Sequence, residues 1–360
     1  MVKCSLTLHN PKPALHTSGL WDLGDPNSLI FSSFDLGMTI NDVTDINWKI
    51  ENNQPWKSLE QQPLCVYQES SGGINWYSPN HKNSNNKVPY SLNGFECKSQ
   101  NSILQTGKRA SPTIRLNTKE GHIGLFIERF WQNCPKSISV NNNQINIGLF
   151  PEQFNDDFEL QPGEKKTHQF YLDFGEDFNA LAQFSSPMEV SLNPEWMERC
   201  KVFPNFQLSD EDDLLQMIIS QGLTGPDNFF NKREKIDEYG WRNFGDIFAD
   251  HETYGYQGEE LFISHYNNQY DPIYGILRQY ALTGNNQWFE LADDLARHVV
   301  DIDIYHTGYD KEEYNGGLFW HTDHYLPAET SSHRSYSKYQ ETNAYEDHAG
   351  GGCLLYTSDA

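Results

Sequence analysis

The chain is short of cations. Across 360 residues, 26 Lys and Arg face 50 Asp and Glu, giving a formal charge of −24 at pH 7. That surplus repels phosphate backbones and anionic bilayers, so neither nucleic acid nor a membrane surface is an expected partner. Long apolar runs are also missing, and no stretch approaches the ~20 residues of a membrane-spanning helix. The opening MVKCSLTLHN has no apolar signal core, which sets a cytoplasmic expectation, with secretion or a periplasmic location left open if the N-terminus is incomplete. The six cysteines (Cys4, Cys65, Cys97, Cys134, Cys200 and Cys353) contain no CxxC pair. Their scatter argues against a cysteine zinc site and fits reduced thiols better than a disulfide framework. GxSxG, P-loop and strand-linked GxGxxG patterns are absent, which removes support for serine hydrolysis and nucleotide chemistry. No metal ligand set and no cofactor is expected; a divalent cation stays an open, unsupported option.

Aromatic residues are plentiful, with 9 Trp, 19 Tyr and 21 Phe. Most belong in β-sheet cores on general grounds, but flat rings also stack on the apolar faces of sugars. Along the chain the texture changes once. Up to about residue 194 it reads as strands and turns. Segments 108–118, 121–131, 137–150, 167–174 and 188–192 are β-branched and aromatic, and 137–150 forms a hairpin turning at Asn141, Asn142 and Asn143. Many short strands at this spacing suggest a sandwich or barrel. Beyond residue 209 the apolar period becomes helical. A helix is expected over 213–220. A second is expected over 271–283, closed by Gly284, and a third over 288–300, capped by Asn285 or Asn286. The last two make an αα-hairpin, and hairpins separated by polar loops suit a toroid. The final eight residues, CLLYTSDA, resemble a translated sequencing adapter, so the native chain is read as running on past Gly352.

Four segments crowd polar groups more densely than a core requires. In 70–81 (SSGGINWYSPNH), Asn75, Trp76 and His81 make a candidate sugar loop with Trp76 as its stacking platform; the plainer reading is a surface loop with one buried Trp. In 240–252, Arg242, Asp246, Asp250, His251 and Glu252 lie close together, and a helix there would put Asp246 and Asp250 on one face. In 264–271 (SHYNNQYD), His265, Asn268 and Tyr270 stand at a helix entrance, where capping accounts for part of the pattern. In 319–334, His321, Asp323, His324, Tyr325, His333 and Arg334 are dense, and Pro327 disfavours the long helix that a metal pair at His321 and His324 would need.

At these segments the chain resembles the exo-rhamnogalacturonan lyase family, polysaccharide lyase family 26, also described as PcRGLX/YetA-like. The resemblance rests on GLWDLGDP (19–26), ESSGGINWYSPNH (69–81), FWQNCPK (130–136), GEKKTHQFYLDFG (163–175), FGDIFADHE, SHYNNQYDPIYG, ARHVVDIDIYHT and NGGLFWHTDHY. It implies a multidomain β plus α protein. A partial N-terminal β-barrel would occupy 1–85 and a central β-sandwich 86–200. A truncated C-terminal α/α toroid would start at 201 and run to 360. It also implies β-elimination on a galacturonate-containing pectin, so the expected partner is an acidic polysaccharide or oligosaccharide.

The site roles expected from chemistry alone are as follows. Asn268 and a cation, Arg334 or Lys136, hold the uronate carboxylate, and Tyr270, His251 or His324 moves the proton. Asn75, Trp76, His81, Arg242, His265, His321 and Tyr325 complete the binding surface. Two rival readings stand beside this one. A glycoside hydrolase would pair Asp246 or Asp250 with Glu252 or Asp323. A non-catalytic carbohydrate-binding protein would scatter the clusters over its surface.

Overall fold

The structure, a computed structural model, describes residues 1–15, 17, 21–60, 63–175, 181–185, 190–208, 214–250, 256–312, 314–319, 327–334 and 352–353. Its first half consists of fourteen strands: β1 (Val2–His9), β2 (Leu29–Phe31), β3 (Phe34–Thr39), β4 (Val43–Lys49), β5 (Lys57–Leu59), β6 (Leu64–Gln68), β7 (Phe95–Ser99), β8 (Ser102–Gly107), β9 (Thr113–Thr118), β10 (His122–Ile127), β11 (Lys136–Asn141), β12 (Gln144–Phe150), β13 (Phe158–Leu160) and β14 (Lys165–Asp173). One six-stranded sheet runs β1-β14-β10-β9-β4-β5 and another β3-β12-β11-β6-β7-β8, while β2 and β13 form a ribbon. The expected hairpin is there: Asn141 pairs with Gln144 across Asn142, whose φ of 53° suits an Asn in a tight turn.

Strand alternation explains how the sheets face each other. Ile138 and Val140 on β11, Ile145 and Ile147 on β12, Ile114 and Leu116 on β9, and Leu125 and Ile127 on β10 all lie at 0–1 % exposure. They join a single core fed by both sheets. Both sheets also take strands from either side of residue 85: β1 pairs with β14, β4 with β9 and β6 with β7. The expected division between 1–85 and 86–200 therefore falls inside both sheets and does not separate two bodies. The short strand expected over 188–192 is not formed at 190–192, and 188–189 lie outside the described residues.

Helices follow: α1 (Ala182–Ser185), α2 (Pro194–Cys200), α3 (Leu214–Thr224), α4 (Phe229–Ile236), α5 (Gly240–Asn243), α6 (Pro272–Thr283) and α7 (Asn286–His298). The αα-hairpin forms with the expected caps. Asp271 accepts from the Tyr274 amide, Gly284 closes α6 at φ 66°, and Asn285 accepts from the Gln287 amide. Ile276 and Tyr280 of α6 pack on Trp288, Leu291 and Ala292 of α7. Helix α3 is described from Leu214, and residues 209–213, with the expected helix start at 213, lie outside the described residues. It leaves Leu214, Leu215, Met217 and Ile218 more than half exposed. Among the described residues no helix is long and apolar enough to cross a membrane.

Helices and sheets meet at Phe150. Its ring contacts Phe31, Phe158 and His168 and, across the junction, Trp241 of α5 at 5.2 Å. This contact places α5, and the loop that follows it, against the end of β12.

Candidate active site

Helix α4 ends at Asp237, which takes a left-handed φ of 56°. The loop 70–81 docks on that end. Asn75 donates to the carbonyls of Glu234 and Lys235, at 3.3 and 2.8 Å, and so caps the helix. Ser71 donates to the Asp237 carboxylate, and His81 Nε2 lies 2.7 Å from its other oxygen. Arg109 grips Glu234 with contacts of 2.7 and 2.8 Å. Asn75 and His81, expected to bind sugar, spend their polar atoms on this joint. Trp76 is half-buried, edge-on to Tyr77 at 5.3 Å.

Past α5 the chain does not continue as a helix. Gly245 sits at φ 114°, where a Cβ would come within 2.3 Å of the Asp294 carbonyl and 2.8 Å of His298 Cβ. Only glycine lets the strand pass that close to α7. Asp246 and Asp250 therefore share no helical face, which corrects the expectation for this segment. Phe248 instead bridges to His265 in extended backbone. Gly245→Ala should cost about 1–3 kcal/mol, read from denaturant melts. Gly275→Ala, at an open helical position, should gain up to about 1 kcal/mol.

The close pass brings Asp246 into a buried polar cluster. Glu238, Asp246, His265, His298, Asp303 and His333 are each no more than 1 % exposed. His333 Nδ1 lies 3.0 Å from Asp246 Oδ2 and 3.1 Å from His298 Nε2, whose distance to Asp303 Oδ1 is 3.2 Å. His265 stacks on His333 with ring centres 3.8 Å apart and faces Glu238 at 3.2 Å. Burial pushes the Asp246 carboxyl up to about 7, helped by Asp303 and Glu238 and opposed by His298. Burial alone would discharge His298, but Asp303 and Asp246 outweigh it and hold it at about 9. His333, buried beside two other histidines, is held well below its ordinary value. These groups can share protons or a cation, and each is almost fully enclosed.

Two cavities flank the cluster. The larger, about 300 Å³, lies where β14 and the loop after β10 face α7, and His298 forms part of its wall. Its charged groups are Arg129, Lys166 and Arg297 against Glu128, Asp294 and Asp301, with His168 and His298 beside them. Equal numbers of cations and carboxylates make it cation-rich for a chain holding 26 against 50. Arg129 and Arg297 both pair with Asp293, at 2.7 and 2.9 Å. Lys166 is 5 % exposed and has no carboxylate within 4 Å among the described residues. Burial lowers its amine to about 8; Asp301 and Glu164 pull it up, and Arg129 pushes it further down. The smaller cavity, about 250 Å³, includes His81, Tyr90, Trp241, Arg242 and Asn243. Its carboxylates Asp156, Asp157 and Glu159 outnumber its cations Lys82 and Arg242.

The structure relocates most of the expected site. Lys136 is corrected: it is 1 % exposed, and its ammonium is held by the carbonyls of Asn133, Pro135 and Leu149 at 2.7–3.1 Å. It therefore cannot meet a substrate carboxylate. Tyr270 is 82 % exposed, away from both cavities, and Asn268 is a half-buried turn residue whose oxygen faces the Ile273 amide at 3.5 Å. Arg242 is bound to Glu164 at 2.9 Å and to the Glu159 carbonyl. Arg334 lies 1 % exposed against the rings of Phe319, Tyr305 and Trp21 and donates to the Pro162 carbonyl at 3.2 Å. His265 belongs to the buried cluster. His251, His321, His324 and Tyr325 lie outside the described residues, as do Glu252 and Asp323. Of the carboxylates named for a hydrolase, Asp246 is enclosed and Asp250 pairs with Lys232 at 3.0 Å, while Glu252 and Asp323 lie outside the described residues. Missed altogether were Arg129, Lys166, His168, Glu238, Asn243, His298 and Asp303. The one local signal was Lys166 with His168, two ionisable residues two apart on a strand and so on one face.

Residues 187–312 match the family model described as the PcRGLX-like protein C-terminal alpha/alpha toroid domain. This span contains α2 through α7 and the cluster residues Glu238, Asp246, His265, His298 and Asp303. No curated protein matches the chain. The match supports, at a coarse level, a carbohydrate-active protein of rhamnogalacturonan lyase-like type, with sheets in the first half and helices of toroid type in the second.

Proposed function

We propose that the protein cleaves a galacturonate-containing polysaccharide of the rhamnogalacturonan type by β-elimination, and that the cavity between β14 and α7 receives the uronate. The observation that carries this reading is Lys166. It is a nearly enclosed amine with a depressed pKa, in a recess of about 300 Å³ whose lining sets three cations against three carboxylates. That volume lies at the lower end of the ~300–1,000 Å³ of small-ligand sites.

The chemistry needs two things from the protein. The uronate carboxylate must be neutralised so that the adjacent C–H becomes acidic, and a base must take that proton. Arg129 and Arg297 lie on the recess wall for the first task. Lys166, as free amine, serves the second, because burial keeps a useful fraction unprotonated near neutral pH. The electron pair released by the C–H bond forms the new C=C bond, and the glycosidic C–O bond breaks. The proton taken up by the amine is then returned to solvent or to the departing oxygen. The sheets and toroid-type helices together form the walls of this recess.

The test is incubation with rhamnogalacturonan, following the ultraviolet absorbance of the conjugated uronate. Products with saturated ends and no absorbance gain would overturn the proposal.

A further inference from the structure

The buried cluster beside the recess is built like a metal centre. Its four closest donors are His298 Nε2, His333 Nδ1, Asp246 Oδ2 and Asp303 Oδ1. The separations His298–His333, His298–Asp246, His298–Asp303 and His333–Asp246 are 3.1, 3.7, 3.2 and 3.0 Å. A regular tetrahedron with zinc–nitrogen and zinc–oxygen bonds of ~2.0–2.1 Å has edges of about 3.3–3.4 Å. One donor from each of the four residues lies within 4.8 Å of all the others.

Neighbouring groups set the lone pairs toward the same point. Asn243 Nδ2 donates to the Asn80 carbonyl at 3.0 Å, which orients the amide and turns its oxygen to His333 Nε2, also at 3.0 Å. His333 must therefore donate from Nε2, leaving Nδ1 a lone pair. His298 Nδ1 faces the Phe244 carbonyl at 3.3 Å, an acceptor only, so in the neutral ring the proton stays on Nδ1 and Nε2 carries the lone pair. Once His298 gives up its proton to a cation, two nitrogen lone pairs face the same point from 3.1 Å apart, with a carboxylate oxygen beside them. Asp246 commits Oδ1 to the Ile247 amide at 2.6 Å, leaving Oδ2 for the cluster. Neither oxygen of Asp303, which is 0 % exposed, accepts a hydrogen bond of good geometry among the described residues. This is the outer-shell arrangement that metal-binding histidines carry, each offering its second ring N–H to a fixed acceptor.

The backbone is shaped to the same end. Helix α7 passes directly into a π-turn, Val299–Asp303. Wider winding brings residues five apart onto one side, so Asp303 comes under His298, which an α-helix would not allow. Gly245 lets Asp246 approach from the opposite side.

We propose that Asp246, His298, Asp303 and His333 bind one first-row divalent cation, zinc by geometry, in a closed four-coordinate structural site. Two neutral imidazoles and two carboxylates balance a divalent charge, which removes the penalty of burying the carboxylates unpaired. The ion ties together the loop after α5, the end of α7, the π-turn and the segment 327–334. Glu238 with His265, stacked on His333, forms the layer behind it. The inference does not depend on the elimination reading.

Elemental analysis of the purified protein should find about one divalent ion per chain. Replacement by Co²⁺ should give the strong visible bands of a four-coordinate ion, and added Zn²⁺ should raise the melting temperature of metal-depleted protein. Asp303→Asn should lower metal occupancy at least tenfold, while Asp250→Asn, outside the donor set, should leave it unchanged. Protein that is metal-free as purified and unmoved in spectrum and melting by Co²⁺ and Zn²⁺ would overturn the proposal. Full metal retention in Asp303→Asn would do the same. Both the metal content and the wild-type titration are independent of lyase activity and of whether any variant folds.

Discussion

Lys166→Met should release unsaturated uronate about 10²–10⁴-fold more slowly than the parent protein, the range a positioned general base supplies. Methionine keeps most of the lysine stem and its volume, so the recess stays filled and only the amine is lost. Lys166→Arg should be as slow, because a guanidinium stays protonated. The pH profile gives an independent check. The reactive form is the free amine, so the rate should climb as pH rises through about 8, where burial has placed this group among Asp301, Glu164 and Arg129. Stability should move in a related way. Between about 8 and the ordinary 10.5 the unfolded chain binds a proton that the folded chain does not. Stability of the parent therefore rises with pH across that window. Below it, the folded protein carries the cost of a buried ammonium, so Lys166→Met should be the more stable protein at neutral pH, and the difference should shrink in alkali. A variant with parental rate and an unchanged profile would remove Lys166 from the chemistry.

The legible parts of this molecule are those whose cause is local. The 137–150 hairpin, the αα-hairpin and its caps at Asp271, Gly284 and Asn285 each follow from residues within a few positions of one another, and each formed where expected. The sheet order was not legible. β1 reaches β14 across more than 150 residues, and no local pattern encodes that pairing. The same distinction applies to the site. Dense polar segments drew attention to Asp246, His265 and His333, which do converge. Density could not distinguish a group aimed inward from one spent on a helix end, so Asn75 and His81 were read as ligand contacts when they seat a loop on α4. Lys136 misled for a related reason, since a lone lysine in sequence does not show that three carbonyls already hold it. Lys166, His298 and Asp303 sit in ordinary amphipathic strand and helix segments, and only the meeting of β14 with α7 and its π-turn gives them their surroundings.

The junction of α7 with α4 and with the loop after β10 is held by Asp294, and Asp294→Ala should destabilise the protein by about 3–5 kcal/mol. One carboxylate oxygen is ion-paired with Arg129, from the loop after β10, at 2.7 Å; the other accepts a hydrogen bond from Arg233 of α4 at 3.0 Å. The side chains of Asp294 and Arg233 are 2 % and 6 % exposed. Arg129 keeps a second partner in Asp293. Arg233 has no second carboxylate among the described residues, and is left buried against the rings of Phe244 and Phe230. The cost of removing Asp294 is therefore mostly that of a stranded guanidinium, more than that of a lost attraction. Two comparisons follow. Arg297→Ala breaks the half-exposed pair with Asp293, where solvent screens the charges, and should cost at most about 1 kcal/mol. The double variant Arg233→Met with Asp294→Ala removes the stranded charge and fills its space, so it should be more stable than Asp294→Ala alone. Denaturant melts of the two single variants and the double variant decide the matter. If the double variant is the weakest of the three, Arg233 stabilises this junction by packing and not through its charge, and the account of how α4 and α7 are fixed to the sheets is wrong.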